Sequence, residues 1–202
     1  MSERSEYWNG VYQKRAPTEV SWFQAQATTS LSLVASCGVS RDSAVVDVGA
    51  GASTFVDGLL ALGFADVTLL DIAEAAFEST HRRLPDVHLE YVAADITKWA
   101  PPREYGVWHD RAVFHFLTDE CARDGYRSAL KQGTRAGSHV ILGTFALDGP
   151  ERCSGLPVQR YSATSLAGEF ENVLRPVEER IERHRTPAGG EQSFIFVRFV
   201  RV

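Results

Sequence analysis

The stretch "AVVDVGAGASTFVDGLLALG", Ala44 to Gly63, constrains the fold more than any other part of the chain. Its β-branched run stops at Gly49 and Gly51, which reads as a buried strand ending in a tight turn. Phe55, Val56, Leu59 and Leu60 then recur at helical spacing behind a cap at Ser53, and Gly63 supplies a left-handed stop. A strand, a glycine turn and a helix in this order make the first part of a βαβ unit.

The pattern repeats along the chain. "ADVTLLDI" (65–72) predicts a second strand, and the helix behind it carries Glu74 in its first turn and His81, Arg82 and Arg83 in its last, before Pro85 stops it. "DVHLEYVAAD" (86–95) predicts a third strand, and the Pro-Pro segment after it is too short for a full crossover helix. "EYGVWHD" is a fourth strand, followed by a helix opened by Thr118, Asp119 and Glu120 and closed at Gly133. "SHVILGTFAL" is a fifth, and a long loop then leads to a helix from about Ser162. "VEERIERHR" and "SFIFVRFVRV", joined by "TPAGGEQ", form a closing hairpin.

Alternating strands and helices imply a mostly parallel sheet covered on both faces. The hairpin makes the last strand antiparallel. Apolar on both sides, that strand belongs inside its highly charged partner, which takes the edge. The expected fold is therefore α/β: a Rossmann-like, doubly wound seven-stranded sheet in the order 3-2-1-4-5-7-6 with strand 7 antiparallel, plus an N-terminal helical arm. One domain is expected over residues 1–202, with 1–40 as arm or lid and 41–202 as core. Within the arm, Ser21 and Gln24 fit a capping box for a helix running to about Cys37, with Trp22 in its first turn.

Composition narrows the partners. A net charge of −5 without a Lys/Arg run gives no footprint for a phosphate backbone, so no nucleic acid is expected. Cys37, Cys121 and Cys153 are widely spaced and contain no CxxC, which argues against a disulfide framework and a thiolate metal site. His109 and His115 lack the i, i+4 spacing of a helical metal pair, so no metal is expected either. The chain shows no leader-like start and no apolar run long enough for a membrane span, which points to a cytoplasmic protein.

Ligands of such sheets bind beyond the carboxyl ends of the strands, at the switch point between the first and fourth. "DVGAGAST" lies there. It departs from the dinucleotide fingerprint in two ways: Thr54 replaces the third glycine, and Asp47 precedes the first. An acid beside the turn repels a pyrophosphate and suits a cationic ligand. Asp71, ending the second strand, can accept from ribose hydroxyls, and Asp95, after the third, from an adenine amino group; as turn formers or caps, the same aspartates need no ligand.

"VVDVGAGAST", "VTLLDI" and "AAD", within residues 44–97, resemble the first three motifs of the class I S-adenosylmethionine-dependent methyltransferases, and "KQGTRAGSHVIL" resembles that family's segment leading into the fifth strand. The resemblance implies S-adenosyl-L-methionine as cofactor and S-adenosyl-L-homocysteine as product. It places Asp47, Gly49 and Gly51 around the methionine part, Asp71 on the ribose, and Asp95 with Ile96 near the adenine, with Ala50, Ser53 and Ile72 as further cofactor-binding residues. "YWNGVYQKRAPTEVSWFQ" is similar to the N-terminal segments of thiopurine methyltransferase-like enzymes and of elongation-factor lysine methyltransferases, which implies a lid or contact role for Tyr12 and Trp22; a plain hydrophobic anchor is the other reading. "YGVWHDRAVFHFL" is similar to the thiopurine-type fourth strand at Asp110 and Arg111, residues it would set near the cofactor's methionine end.

Methyl transfer from a sulfonium is an in-line displacement with an activated leaving group, so alignment supplies much of the rate. A small-molecule nucleophile, a thiol or similar, is the first expectation, since a few per cent of a thiol is ionised at neutral pH. A protein lysine is the alternative acceptor and a non-catalytic cofactor-binding module a third. Amines and hydroxyls need a base, for which His109, Asp110 and His115 are the candidates; core histidines and a pocket wall are the competing reading. Phe114, His115 and Phe116 are expected to face the substrate, Arg152, Arg160 and Tyr161 are candidates to grip an anionic one, and Cys153 reads as an ordinary free thiol.

Overall fold

A computed structural model describes residues 2–202. The chain runs α1 (Glu3–Lys14), a 3-10 turn (Pro17–Glu19), α2 (Thr28–Ala35), β1 (Val45–Val48), α3 (Phe55–Ala61), β2 (Val67–Asp71), a second 3-10 turn (Glu74–Phe77) leading into α4 (Glu78–Arg83), and β3 (Glu90–Ala93). It continues through β4 (Val107–Arg111), a 3-10 turn (Phe114–Phe116), α5 (Glu120–Gln132), β5 (His139–Phe145), a two-residue hairpin β6 (Arg152–Cys153) and β7 (Leu156–Pro157), α6 (Ala163–Gly168), β8 (Leu174–Arg185) and β9 (Glu191–Arg201). Among the described residues no helix is long and apolar enough to cross a membrane.

The seven-stranded sheet has the order β3-β2-β1-β4-β5-β9-β8. β1 to β5 pair in parallel, and β9 lies antiparallel between β5 and β8. Apart from the β6–β7 hairpin inserted in the loop after β5, this is the expected order, for the expected reason: β1, β2, β4, β5 and β9 are buried along most of their length, while β3 and β8 expose the sheet edges.

Side chains of alternate parity fill two cores, one on each face. Val46, Val48, Trp108, Val140 and Leu142 pack toward α5 and α6, and Val45, Val107, Ile141, Phe145 and Phe194 toward α2 and α3. Asp119 caps α5 by accepting from the Ala122 N–H, and Ser162 caps α6. At the start of α3 Thr54 takes the cap position, one residue later than expected, while the Ser53 hydroxyl accepts from the Phe55 N–H at 3.1 Å. Glu74 opens a 3-10 turn and only Glu78–Arg83 is α-helical, so the predicted second crossover helix is shorter than its charges implied.

The arm differs most from expectation. No helix starts at Ser21, and α2 begins only at Thr28. Residues 21–26 take their partners from distant elements instead: His184 Nε2–H donates to the Ser21 carbonyl at 2.8 Å, the Gln24 amide donates to Glu182 at 3.0 Å, and the Thr54 hydroxyl donates to the Gln24 carbonyl at 3.2 Å. With its side chain drawn to β8, Gln24 is unavailable for a capping box, and Trp22 sits in a turn rather than in a helix.

Candidate active site

β1 and β4 are neighbours, with β2 following β1 on one side and β5 following β4 on the other, so a crevice opens between their carboxyl ends. It is occupied by a cleft of about 760 Å³, mouth included. Val48 and Gly49 line it from β1, Leu70, Asp71 and Ile72 from β2, and Ala94, Asp95 and Ile96 from the end of β3. Arg111, Ala112, Val113, Phe116 and Leu117 contribute from β4 and its turn, Cys153 from the hairpin, and Arg4, Trp8, Tyr12 and Trp22 from the arm. A second cavity behind the glycine turn shares Trp22, Gly49 and Arg111 with the first and adds Asp47, Ala50, Gly51, Ser53, Gln24, Ser30 and His109.

The turn is built on two left-handed glycines, Gly49 at φ +69 and Gly51 at φ +54. A Cβ on Gly49 would stand 2.0 Å from Val113 Cγ2, and one on Gly51 2.6 Å from the Tyr12 hydroxyl. The glycines therefore admit the β4 turn and the arm as well as any ligand. The Gly51 N–H donates to Asp71 at 2.9 Å, as does the Ala73 N–H, and burial raises the Asp71 carboxyl to about 6. Asp95 accepts from the Thr97 N–H at 3.0 Å and its hydroxyl at 2.8 Å. Each carboxylate retains lone pairs for further donors.

Arg111 spans both cavities. Its side chain is 10% exposed, donates to the Trp22 carbonyl at 3.0 Å, lies 4.5 Å over the Phe194 ring and reaches Glu182 at 3.5 Å. Burial lowers its pKa, and its Nε has no partner. The arrangement as a whole offers acceptors at the β2 and β3 ends, apolar walls from Ile96 and Leu117, and an acid and an arginine flanking the glycine turn. That donor set fits an elongated ligand with hydroxyls and a planar group at one end and both charges of an amino acid at the other.

The three acid/base candidates stand apart from the cleft. His109 is buried on the far side of the glycine turn, donating from Nδ1 to Asp47 at 2.7 Å with Nε2 2.9 Å from the Ser30 hydroxyl. Asp110 faces the opposite side of the sheet. It accepts from the Val113 N–H at 2.9 Å and the Phe114 N–H at 3.1 Å, and burial raises it to about 6. These bonds hold the turn in which Ala112 takes φ +71, a strained value for a residue with a Cβ. His115 is fully buried between Phe116 and Phe145, and burial beside Arg111 lowers it to about 3. None of the three lines the cleft beyond the turn, so none is placed as a base for an acceptor there.

Of the trio expected to face a substrate, only Phe116 lines the cleft; Phe114 is buried against Tyr126, Tyr161 and Phe170. The expected anion grip is likewise committed elsewhere: Arg152 donates to the Gly155 carbonyl, Arg160 pairs with Glu151 at 3.0 Å, and Tyr161 is buried near Glu169. Cys153 lines the cleft with its thiol pushed up to about 11 by burial, the wrong direction for a nucleophile.

Trp8 escaped the sequence reading, although it sits four residues before Tyr12 and shares its helix face. Its ring meets Trp22 at 5.8 Å and Phe116 at 5.3 Å, both edge-on. α1 buries no residue of its own and is held across the cleft by such contacts: the Ser5 hydroxyl donates to the Ile72 carbonyl at 3.0 Å, the Ala75 N–H to Asn9 at 3.1 Å, and the Tyr7 hydroxyl to the Ser154 carbonyl.

Sheet order, crossover pattern and a ligand crevice at the glycine turn define the Rossmann-like methyltransferase fold. No protein-family model matches the chain, and no curated protein matches its sequence. Solved structures do match in three dimensions. A protein solved in connection with the conversion of a disulfide bond into a thioacetal group during echinomycin biosynthesis superposes with TM-score 0.79 at 18% identity, covering 98% of this chain and 93% of the other. The N-methyltransferase NodS of Bradyrhizobium japonicum WM9 matches with TM-score 0.71 at 18% identity, over 86% of this chain and 93% of its own. The 1,6-didemethyltoxoflavin-N1-methyltransferase of Burkholderia thailandensis, which carries its substrate and S-adenosylhomocysteine, matches with TM-score 0.70 at 18% identity, over 98% and 84%. At such identities the likeness is one of fold.

Proposed function

We propose that this chain is an S-adenosylmethionine-dependent methyltransferase acting on a small-molecule nucleophile, a thiol or a group of similar acidity. The observation that carries the reading is the set of acids at the ends of β1, β2 and β3 around a two-glycine turn at the switch point, opening on a cleft walled by aromatic rings. Asp71 would accept from the ribose hydroxyls and Asp95 from the adenine amino group, with Ile96 and Leu117 against the purine faces. Asp47 and Arg111 would pair with the ammonium and the carboxylate of the methionine part. When bound, the cofactor supplies an electrophilic methyl group.

The chain's own task is then to hold an acceptor in line and keep water out, and Trp8, Tyr12 and Trp22 on the arm with Phe116 opposite suit that task. The titratable groups of the cleft are Arg4, Tyr12, Asp71, Asp95, Arg111 and Cys153. The acids stand at the cofactor end, and Tyr12 and Cys153 are raised by burial, so no group is poised to take a proton from a lysine ammonium. Deprotonating such an ammonium at neutral pH costs about 4 to 5 kcal/mol, whereas a thiol supplies a few per cent of thiolate unaided. This favours the thiopurine-type reading over the lysine-directed one.

The test is calorimetric titration with S-adenosylhomocysteine, followed by labelled S-adenosylmethionine with panels of thiols, selenols, phenols and amines. Binding of NAD in place of S-adenosylhomocysteine would overturn the cofactor reading. Label on protein with no labelled small product would turn the acceptor reading to lysine, and tight binding with no methylated product even in lysate would point to a non-catalytic module.

A further inference from the structure

We infer that His109 and Ser30 are positioning residues that fix the Asp47 carboxylate toward the cationic end of the ligand, an inference resting on the cofactor reading above. β1 and β4 pair in parallel with Asp47 directly opposite His109, so the two side chains leave the same face of the sheet side by side. A carboxylate only accepts, so the 2.7 Å contact places the proton on His109 Nδ1. The other ring nitrogen, Nε2, is hydrogen-bonded to the Ser30 hydroxyl of α2 at 2.9 Å, so the ring is held at both ends. Phe55 stacks on the ring at 3.9 Å and removes its freedom to turn. All three polar residues are buried, at 1% exposure for Ser30, 2% for His109 and 3% for Asp47.

The chain of contacts holds Asp47 through Oδ1 in a carboxylate that lines the cavity behind the glycine turn, leaving Oδ2 for a cation. Without the histidine the Asp47 side chain loses the donor that fixes its direction and is free to turn from the cavity, which would weaken its hold on an ammonium. Arg111, two residues further along the same face of β4, stands in the same cavity as the complementary charge. The order Asp, His, Ser also occurs in hydrolases, but here the serine is buried at 1% exposure, and the N–H groups of Gly49, Ala50 and Gly51 are already committed, the first two to the Leu70 carbonyl and the third to Asp71. The relay therefore serves binding.

Two ligands separate the methionine end from the nucleoside end: S-adenosylhomocysteine carries the ammonium, and methylthioadenosine lacks the whole amino-acid moiety. In the full chain, His109→Phe should weaken S-adenosylhomocysteine at least tenfold while leaving methylthioadenosine within about twofold, a selectivity in the range of a charge-assisted hydrogen bond. His109→Asn, whose amide still donates, should recover much of the loss. Ser30→Ala, a milder change should His109→Phe not fold, should give a smaller loss with the same selectivity. Equal weakening of both ligands, or no weakening of either in a folded variant, would overturn the inference. Failure of the unaltered chain to bind either ligand would remove the cofactor reading itself.

Discussion

His115 offers a direct measurement of whether the residues after β4 form a base or a wall. The side chain is fully buried, with rings of Phe116 and Phe145 at 4.6 and 4.7 Å, Nε2 without a partner, and a conjugate acid lowered to about 3 by burial and Arg111. In the unfolded chain the same imidazole titrates near 6.5. Between these values the unfolded state binds the extra proton, so the stabilisation is complete above the unfolded pKa and is lost as the pH falls toward the folded one. From about pH 7 to about pH 5 the linkage removes about 2 kcal/mol. Asp71 and Asp110, raised to about 6, act in the opposite sense: the folded state takes up their protons first, so their contribution grows as the pH falls through that value. His139 and His184, also lowered by burial, act in the same sense as His115, so the unaltered curve mixes all of these and a difference isolates one. Urea unfolding of the native sequence and of His115→Gln, which keeps an acceptor near the Phe145 N–H, should show the native chain losing about 2 kcal/mol more than the variant over that interval. Equal losses would mean that the imidazole titrates as in water, and the wall reading would fall. A conjugate acid this low also makes His115 a poor base at neutral pH, so no activity limb near 6.5 should belong to it.

Asp71→Asn should weaken S-adenosylhomocysteine about tenfold or more by calorimetry, and in the unaltered chain affinity should fall about tenfold between roughly pH 7 and pH 5, because ribose hydroxyls donate to the charged carboxylate and a group at about 6 takes up its proton in that interval; a flat pH profile would place the ribose elsewhere. Gly51→Ala sets a Cβ 2.6 Å from the Tyr12 hydroxyl at a positive φ, so unfolding should occur several degrees lower through about 1 to 2 kcal/mol of backbone strain plus the contact, and Tyr12→Phe added to it should restore part. Trp8→Ala should change stability by less than about 1 kcal/mol, since Trp8 is only partly buried, yet speed tryptic cleavage at Lys14 and Arg15; unchanged cleavage would mean that the Trp22 and Phe116 contacts do not hold the arm.

The sheet was legible because its information is local and redundant. Each central strand is a short run buried on both faces, and the charge of "VEERIERHR" against the apolarity of "SFIFVRFVRV" decided which closing strand takes the edge. The arm was not, because what shapes residues 21–26 is Glu182 and His184 on β8, about 160 positions away in sequence. Ser21 and Gln24 had the right types for a capping box, and tertiary partners outbid the local one. Trp8 was hidden for the same reason: the cleft wall to which it contributes forms only once α1 has been folded over the ends of the strands.

The stretch "WHDR" carries a different lesson, since here the sequence held the answer. Once Val107–Arg111 is a strand, neighbours in sequence must leave opposite faces, so His109 and Asp110 cannot share one catalytic centre whatever their chemistry. Parity instead groups Trp108 with Asp110, on the side of Tyr126, and His109 with Arg111, on the side of α2 and the arm. The parallel order 1-4 then sets β1 beside β4, and matching the two glycine-side ends in register brings Asp47 opposite His109. Both steps use only the strand period and the sheet order already expected from the hydrophobic pattern. The cluster that reads as an acid/base centre in one dimension divides into two halves: Asp110 shapes the turn that bears Ala112, and His109 braces the acid of the glycine turn. Replacing either should therefore alter how a ligand is held before it alters any proton transfer, which is why paired ligands differing only at the amino-acid end are the sharper probe of this strand than a rate measurement.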